Sequence, residues 1–101
     1  MIDLEDVKVA VEEAMGNEQF RVLYEGAPSV ASKEHYALMA WLMKHNLLGD
    51  VDSDEFRAAN ESVMGRFTLE DWIYVRDNTP PNNKHWRRCD NMVKKMQGGG
   101  A

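Results

Sequence analysis

The longest unbroken helical pattern in the chain covers residues 32–49, SKEHYALMAWLMKHNLLG. Ser32 is a candidate N-cap, because a serine hydroxyl can accept a hydrogen bond from a free amide of the first turn. Gly49 suits the position just past the last turn, where a left-handed backbone closes a helix. This helix has apolar side chains on nearly all of its sides. One face carries Tyr36, Met39, Ala40, Met43 and Leu47, and Leu38, Trp41, Leu42 and Leu48 point in other directions. A helix that is apolar on nearly all sides is buried by several neighbours, so residues 32–48 are predicted to form the central helix of a small all-α domain.

Shorter helical patterns flank this central helix on both sides. They cover residues 3–15, 53–64, 68–78 and 82–96. The first has a predicted apolar stripe of Leu4, Val7, Val11, Ala14 and Met15. Asp3 is a candidate N-cap of the first, and Thr68 has Asp71 three residues on, which is the spacing of a capping box. The predicted fold is therefore an all-α, single-domain bundle of four or five helices in residues 1–97, followed by a disordered tail at residues 98–101.

The conformation of residues 18–26, EQFRVLYEG, is left open by the pattern itself. Phe20, Val22 and Tyr24 alternate as in a β-strand, whereas Phe20, Leu23 and Tyr24 fit one side of a short helix. A strand without a partner leaves its backbone hydrogen bonds unmade. Because the sequence contains no second strand pattern, the short helix is favoured.

The net charge of −5 is distributed unevenly along the 101 residues. Residues 1–71 contain 15 acidic and 6 basic side chains, whereas residues 72–101 contain 2 acidic and 6 basic ones. This asymmetry predicts a basic C-terminal surface on an acidic body. An acidic body disfavours broad nucleic-acid binding, since phosphate contacts require positive charge.

Composition also bears on the compartment in which the protein works. No apolar run approaches the roughly 20 residues that a membrane-spanning helix needs, and the acidic N-terminus MIDLEDVKV lacks the basic segment of a signal peptide. The single cysteine, Cys89, has no partner for an internal disulfide, which agrees with a reducing compartment. These features predict a cytoplasmic protein without membrane association.

The predicted helix at residues 82–96 has a basic face opposite an apolar, buried one. The apolar face consists of His85, Trp86, Cys89, Met92, Val93 and Met96. Its candidate nucleic-acid-binding residues are Asn83, Lys84, Arg87, Arg88, Asn91, Lys94 and Lys95. Lysine and arginine can neutralise phosphates, and asparagine can read base edges. With residues 68–78 as the supporting helix, this segment would form a helix-turn-helix-like pair, although the connecting turn is longer than in the standard motif. The alternative interpretation is an ordinary solvated helix face.

A calcium-binding loop is a further candidate site. Four acidic residues match loop positions 1, 3, 5 and 12: Asp50, Asp52, Asp54 and Glu61. Position 6, however, is Glu55 in place of the glycine that the sharp turn requires. A helix that begins at Ser53 would also prevent the loop from wrapping around an ion. The acidic residues are therefore interpreted as the start of a helix, and no metal site is predicted.

His85 and Cys89 are four residues apart and share one helix face. They could form half of a zinc site or a thiolate–imidazole pair, but His35 and His45 point in different directions from the central helix and offer no ready set of further ligands. A buried thiol beside a packed imidazole is preferred. Because the chain also lacks a phosphate-binding loop and a nucleophile motif, the sequence predicts no catalysis and no cofactor.

The remaining function class is a protein-binding module. Acidic side chains can meet a partner protein with a basic surface, and an aromatic residue beside them can anchor it. The candidate partner-binding residues are Asp50, Asp52, Asp54, Glu55 and Tyr74. The first functional hypothesis is a small intracellular, non-enzymatic protein, regulatory or inhibitory, that binds another protein such as one that handles nucleic acid. The alternative is a regulator that binds DNA or RNA through residues 82–96.

Overall fold

The computed structural model describes residues 2–48 and 53–98 of the chain. Within these ranges the protein contains no β-strand and six α-helices: α1 (Leu4–Ala14), α2 (Glu18–Gly26), α3 (Val30–Leu48), α4 (Ser53–Met64), α5 (Leu69–Asp77) and α6 (Lys84–Gly98). The prediction of an all-α fold is confirmed. The described helices exceed the expected four or five because residues 18–26 form a helix of their own, which the absence of a second strand pattern in the sequence favoured.

Helix α3 lies at the centre of the arrangement, as the sequence predicted. It packs against α1, α2, α4 and α5, whereas α6 packs mainly against α5. The neighbouring helices leave one side of α3 open, where Met39 is 38% exposed and Met43 is 63% exposed. The placement of these two methionines on the buried face is therefore wrong. The predicted closing residue Gly49 lies outside the described residues.

Helix α3 begins two residues earlier than predicted, and Ser29 rather than Ser32 caps it. The Ser29 N–H donates to Ser32 Oγ (3.1 Å), and the Ser32 N–H donates to Ser29 Oγ (3.4 Å). This is the reciprocal geometry of a capping box, with serine at the third helical position. The Ser29 hydroxyl also donates to both carboxylate oxygens of Asp71, at 2.8 and 2.9 Å. The hydrogen bonds between Ser29 and Asp71 of α5 therefore favour Ser29 as the N-cap of α3.

Two hydrophobic clusters hold the helices together. The larger joins α3 to α4, α5 and α6 and includes Tyr36, Leu38, Met64, Phe67, Trp72, Val75, Cys89 and Val93. The smaller docks α1 on α3 and consists of Ala10, Ala40 and Trp41. Partly buried Val7, Phe20 and Phe56 pack against both clusters. The two clusters are therefore connected through shared neighbours.

The apolar side of α1 differs from the predicted stripe at its first residue. Asp3 caps the helix, as predicted, because its carboxylate accepts a hydrogen bond from the Glu5 N–H at 3.0 Å. Ala10 is the buried residue of this helix. Leu4, which the sequence placed in the stripe, is 82% exposed. Since Leu4 is the first residue of α1, it projects from the end of the helix instead of packing on α3.

Helix α5 begins at the predicted capping box. The Asp71 N–H donates to Thr68 Oγ1 (3.3 Å), and the Thr68 N–H donates to Asp71 Oδ2 (2.8 Å). Just before this cap, Phe67 is buried and meets Trp72 edge-on, with ring centroids 4.9 Å apart. Phe67 thereby belongs to the larger hydrophobic cluster.

Helix α6 begins close to its predicted start and ends later than predicted. Asn83 Oδ1 accepts a hydrogen bond from the His85 N–H at 2.8 Å, and the helix begins at Lys84. At the other end it continues to Gly98, the first residue of the predicted disordered tail. Residues 99–101 lie outside the described residues.

Replacing Gly26 with alanine is expected to destabilise the contact between α2 and α5. An added Cβ would lie 2.8 Å from Tyr74 Oη, and that hydroxyl is held in place because it donates to the Leu23 carbonyl (2.9 Å). Overpacking of this kind costs about 1–3 kcal/mol. In a Tyr74→Phe background, which lacks the clashing oxygen, the same G26A change should cost little. Urea denaturation of the four proteins measures both effects.

Gly98→Ala is the matched control for this experiment, because a Cβ added at Gly98 meets no atom within 4 Å. The free energy of unfolding of G98A should differ from that of the wild type by less than about 0.5 kcal/mol. If G26A lowers the free energy of unfolding equally with and without the Tyr74 hydroxyl, the approach of the added Cβ to that oxygen is not the cause of the loss.

Candidate binding groove along helix α6

Helix α6 has two chemically different faces. Cys89 and Val93 are fully buried in the larger cluster. The other face carries the residues that the sequence singled out for nucleic-acid binding, all of them exposed: Asn83, Lys84, Arg87, Arg88, Asn91, Lys94 and Lys95. An ion pair between Arg76 Nη1 and Asp90 Oδ1 (3.1 Å) ties α6 to α5. The fold therefore presents the predicted basic face to solvent on a fixed helix.

Arg88 is already engaged by a carboxylate of the same chain. Its two terminal nitrogens donate to the two carboxylate oxygens of Glu61 on α4, at 2.6 and 2.9 Å. This hydrogen bonding raises the pKa of Arg88 and lowers the pKa of Glu61. A bidentate arginine–carboxylate pair has a well-defined geometry, and this one links α6 to α4 at the protein surface.

The other cations of this face differ in their availability. Lys94 Nζ lies 3.0 Å from Asp90 Oδ2, one turn earlier in the helix. Among the described residues, Lys84, Arg87 and Lys95 form no ion pair. Three exposed cations are therefore free to meet an external anion.

A groove of about 500 Å³ lies between α4 and α6, next to the start of α5. Its apolar lining consists of Met64, Phe67, Trp72, Met92 and Met96. Met96 is 43% exposed, and Met92 is partly buried. Glu61, Arg88 and Lys95 form the polar edge. The groove thus has an apolar surface, lying between charged side chains, that a ligand could contact.

A second depression, of about 400 Å³, continues along the exposed face of α6. It is lined by Lys84, Arg87, Arg88, Asn91, Met92 and Lys95. Because Arg88, Met92 and Lys95 line both depressions, we treat them as one surface and call it the α6 groove. Along the helix it covers residues 84–96, a length of about 18 Å at 1.5 Å per residue.

No protein-family model, curated protein or solved structure matches the chain. None of the described helices has the length and apolar character that a membrane crossing requires.

The predicted acidic partner-binding site is described only in part. Asp50 and Asp52 lie outside the described residues. Asp54 is exposed in the first turn of α4 and lies 3.8 Å from Arg57, and Glu55 is partly buried. Of the predicted acidic residues, the described part of the chain thus contains only Asp54 and Glu55, both in the first turn of α4.

Tyr74, the predicted aromatic anchor of that site, serves the fold. Its hydroxyl donates to the Leu23 carbonyl, and its ring meets the Tyr36 ring edge-on at 6.1 Å between centroids. The side chain is partly buried between α2, α3 and α5. A partner could not take up this hydroxyl without breaking the contact between α2 and α5.

The candidate calcium ligands do not form a site within the described part of the chain. Asp50 and Asp52 are not described, and Asp54 lies at the start of α4, as the helix prediction required. Glu61 is seven residues further along α4 and binds Arg88. The described residues contain no group of three or more His, Cys, Asp or Glu side chains placed to hold a metal ion.

His85 and Cys89 lie at the interface of α6 with the core, as the preferred interpretation required. Burial raises the pKa of the Cys89 thiol to about 11, so the thiol stays protonated at neutral pH and is a poor nucleophile. The His85 ring stacks on His35 with centroids 5.5 Å apart. Its Nε2 is buried and has no hydrogen-bond partner among the described residues. His35 Nδ1 lies 2.8 Å from Asn60 Oδ1.

The stacked histidines should make the protein less stable as the pH falls. Burial lowers the pKa of both rings, and each ring also feels a nearby positive charge: His85 for His35, and Arg88 for His85. The unfolded chain then takes up protons below its ordinary histidine pKa of about 6.5 while the folded protein resists protonation. Stability is therefore present above pH 6.5 and lost as the pH falls through the lowered values.

Urea denaturation midpoints between pH 8 and pH 5 test this expectation. The His35→Gln/His85→Gln variant should lose much of the decline seen below pH 6.5. The pKa values of the Glu61 and Asp71 carboxyls are lowered, so the titration of these two groups affects stability only at lower pH. An unchanged profile in the double variant would rule out the histidine pair as the cause.

The sequence assigned Met92 and Met96 to the buried face of the last helix and did not identify them as binding residues. Met92 is only partly buried, and Met96 belongs to the last three residues of α6, where the helix extends past its neighbours. The Glu61–Arg88 and His35–His85 contacts likewise have no local signal in the sequence, because each joins residues that are far apart in the chain.

Proposed function

We propose that the protein is a non-enzymatic interaction module that binds a partner protein through the α6 groove. The observation that supports this proposal is a concave surface in which exposed methionine lies between charged side chains. Protein interfaces commonly combine an apolar centre with a polar rim. Methionine is enriched in such surfaces because its flexible side chain adapts to the partner.

The rim of the groove favours binding for a second reason. The Glu61–Arg88 pair holds Arg88 in one geometry before a partner arrives. A side chain that is already ordered loses less conformational entropy on binding. The groove is thus partly organised in the free protein.

The proposal keeps the predicted function class and moves the binding site. Sequence reasoning placed partner binding on Asp50, Asp52, Asp54, Glu55 and Tyr74. Tyr74 is used by the fold, whereas Met96 and Lys95 are exposed beside a groove. The partner-binding residues that we propose therefore lie on α6.

Panning of a displayed library of random peptides about 16 residues long, enough for a helix along the groove, tests the proposal. Peptides enriched on the wild-type protein should bind Met96→Glu about tenfold or more weakly, as expected for an anchor residue. Met43→Glu is the matched control, because Met43 is exposed on α3 away from the groove. If no enriched peptide distinguishes M96E from M43E, the proposed function is wrong.

Nucleic-acid binding remains a second candidate, because Lys84, Arg87, Asn91 and Lys95 follow one exposed stripe of α6. Glu61 within the same groove and the pairing of Arg88 disfavour it. Titration of a random DNA duplex and a single-stranded RNA at two salt concentrations tests it, with R87E as the variant and K8E as the charge-matched control. Salt-sensitive binding that R87E abolishes and K8E preserves would favour this candidate.

A further inference from the structure

We infer that the segment bound in the α6 groove is an acidic amphipathic helix of the partner protein. This inference rests on the proposed function and specifies the chemistry of the occupant. It is carried by three features of the groove: its charge, an internal example of carboxylate binding, and the spacing of its side chains.

The groove is basic although the protein as a whole is acidic. Its lining contains four cations, Lys84, Arg87, Arg88 and Lys95, and one carboxylate, Glu61. The lining therefore carries a formal charge of +3, on a chain whose net charge is −5. An acidic ligand is drawn to this surface and repelled by much of the rest of the molecule, so charge selects both the site and the ligand.

Glu61 shows how a carboxylate is held at this surface. It lies at the edge of the groove and accepts two hydrogen bonds from Arg88 at 2.6 and 2.9 Å. Arg87 and Lys84 lie one and four residues before Arg88 on the same exposed face and have no such partner among the described residues. Carboxylates of a bound segment can therefore occupy neighbouring cation sites while the Glu61 pair remains intact.

The side-chain spacing fits a helix lying along α6. Lys84, Arg88, Met92 and Met96 follow one another at one-turn spacing, and Arg87, Asn91 and Lys95 form a parallel line beside them. An amphipathic helix can place apolar side chains against the two methionines and acidic side chains against the cations. A partner helix of about 12 residues would match the roughly 18 Å length of the groove.

Charge reversal tests the inference separately from the proposed function. The probes are the library peptides that bind wild type and lose affinity for M96E. We expect them to be acidic, with apolar residues at helical spacing, and to bind K84E/R87E about fivefold or more weakly, as for the loss of two exposed ion pairs. The matched control K8E/R21E reverses two exposed cations on α1 and α2 and should change affinity less than about twofold.

A charge-swapped peptide provides the decisive comparison. When the glutamates of an enriched peptide are replaced by lysine, the new peptide should bind K84E/R87E more tightly than it binds wild type. Circular dichroism checks that both double variants remain folded, which is expected because all four replaced side chains are exposed.

The outcomes separate the two proposals. M96E-sensitive peptides that are neutral or basic, or that bind K84E/R87E as tightly as wild type, would overturn the acidic-helix inference while leaving the protein-binding function in place. An absence of M96E-sensitive peptides would remove both. Self-association lost in M96E, measured by sedimentation, would identify a second copy as the occupant and also overturn the inference.

Discussion

Replacing Asp71 with alanine is expected to lower the free energy of unfolding by about 3–4 kcal/mol, because buried charge-assisted hydrogen bonds at helix caps are lost together. Asp71 is fully buried. Its carboxylate accepts hydrogen bonds from Ser29 Oγ, the Thr68 N–H and Thr68 Oγ1. One side chain thereby serves the N-termini of both α3 and α5. Removing it leaves donors at both helix starts without a partner.

Thermal denaturation followed by circular dichroism measures this effect. For a chain of this size the midpoint of D71A should fall by roughly 15 °C. Asp71→Asn keeps the shape of the side chain and one acceptor oxygen, so D71N should lose less stability than D71A. Asp77→Asn, on the exposed side of the same helix, is the control and should change stability by less than about 0.5 kcal/mol. A loss in D71A no larger than in D77N would contradict the shared-cap explanation.

The contribution of Asp71 to the free energy of unfolding depends on pH, because its side chain is a carboxylate. Burial raises its pKa, but hydrogen bonds from Thr68, Ser29 and Ser32 outweigh burial and hold the pKa below its ordinary value. The unfolded chain then takes up this proton before the folded protein does. The stabilisation is therefore present above the ordinary pKa of aspartate and lost as the pH falls through the lowered value.

Replacing Trp41 with alanine is the second substitution expected to have a large effect, about 3–5 kcal/mol for a buried tryptophan. Trp41 is 5% exposed and, with Ala10 and Ala40, forms the cluster that docks α1 on α3. Its Nε1–H donates to Asp6 Oδ2 at 3.0 Å, and its ring lies against His45 with centroids 4.5 Å apart. Its removal therefore takes away the apolar contact and one of the polar links between the two helices, while the Lys44–Asp6 ion pair can remain.

Hydrogen exchange read helix by helix shows whether this loss is local. In W41A the amides of α1 should exchange faster than those of α5 and α6, since α1 packs mainly on α3. Trp41→Phe keeps an aromatic ring but no N–H donor, so it should retain most of the protection of α1. Uniform loss of protection across all helices in W41A would mean that α1 does not unfold independently.

The sequence by itself determined the helices, because their signals lie within a few residues of each other. The capping box joins Thr68 and Asp71, which are three residues apart, and the Asp3 cap and the pattern of residues 18–26 are similarly local. The central position of α3 also followed from the sequence, since apolar residues on most of its circumference require several neighbours. The open side of α3 did not follow from the sequence, because hydrophobic periodicity does not show which face of a helix its neighbours leave uncovered.

Only the tertiary structure decided the contacts that cap α3 and shape the α6 groove. Ser29 meets Asp71 across 42 residues, and Arg88 meets Glu61 across 27. Both arginines of the Arg87–Arg88 pair look alike in the sequence, yet only Arg87 is without an ion pair among the described residues. Pairing depends on where two helices are brought together, which is a property of the packed core and not of the local pattern. For this reason the basic face was predictable from the sequence, whereas the groove beside it was not.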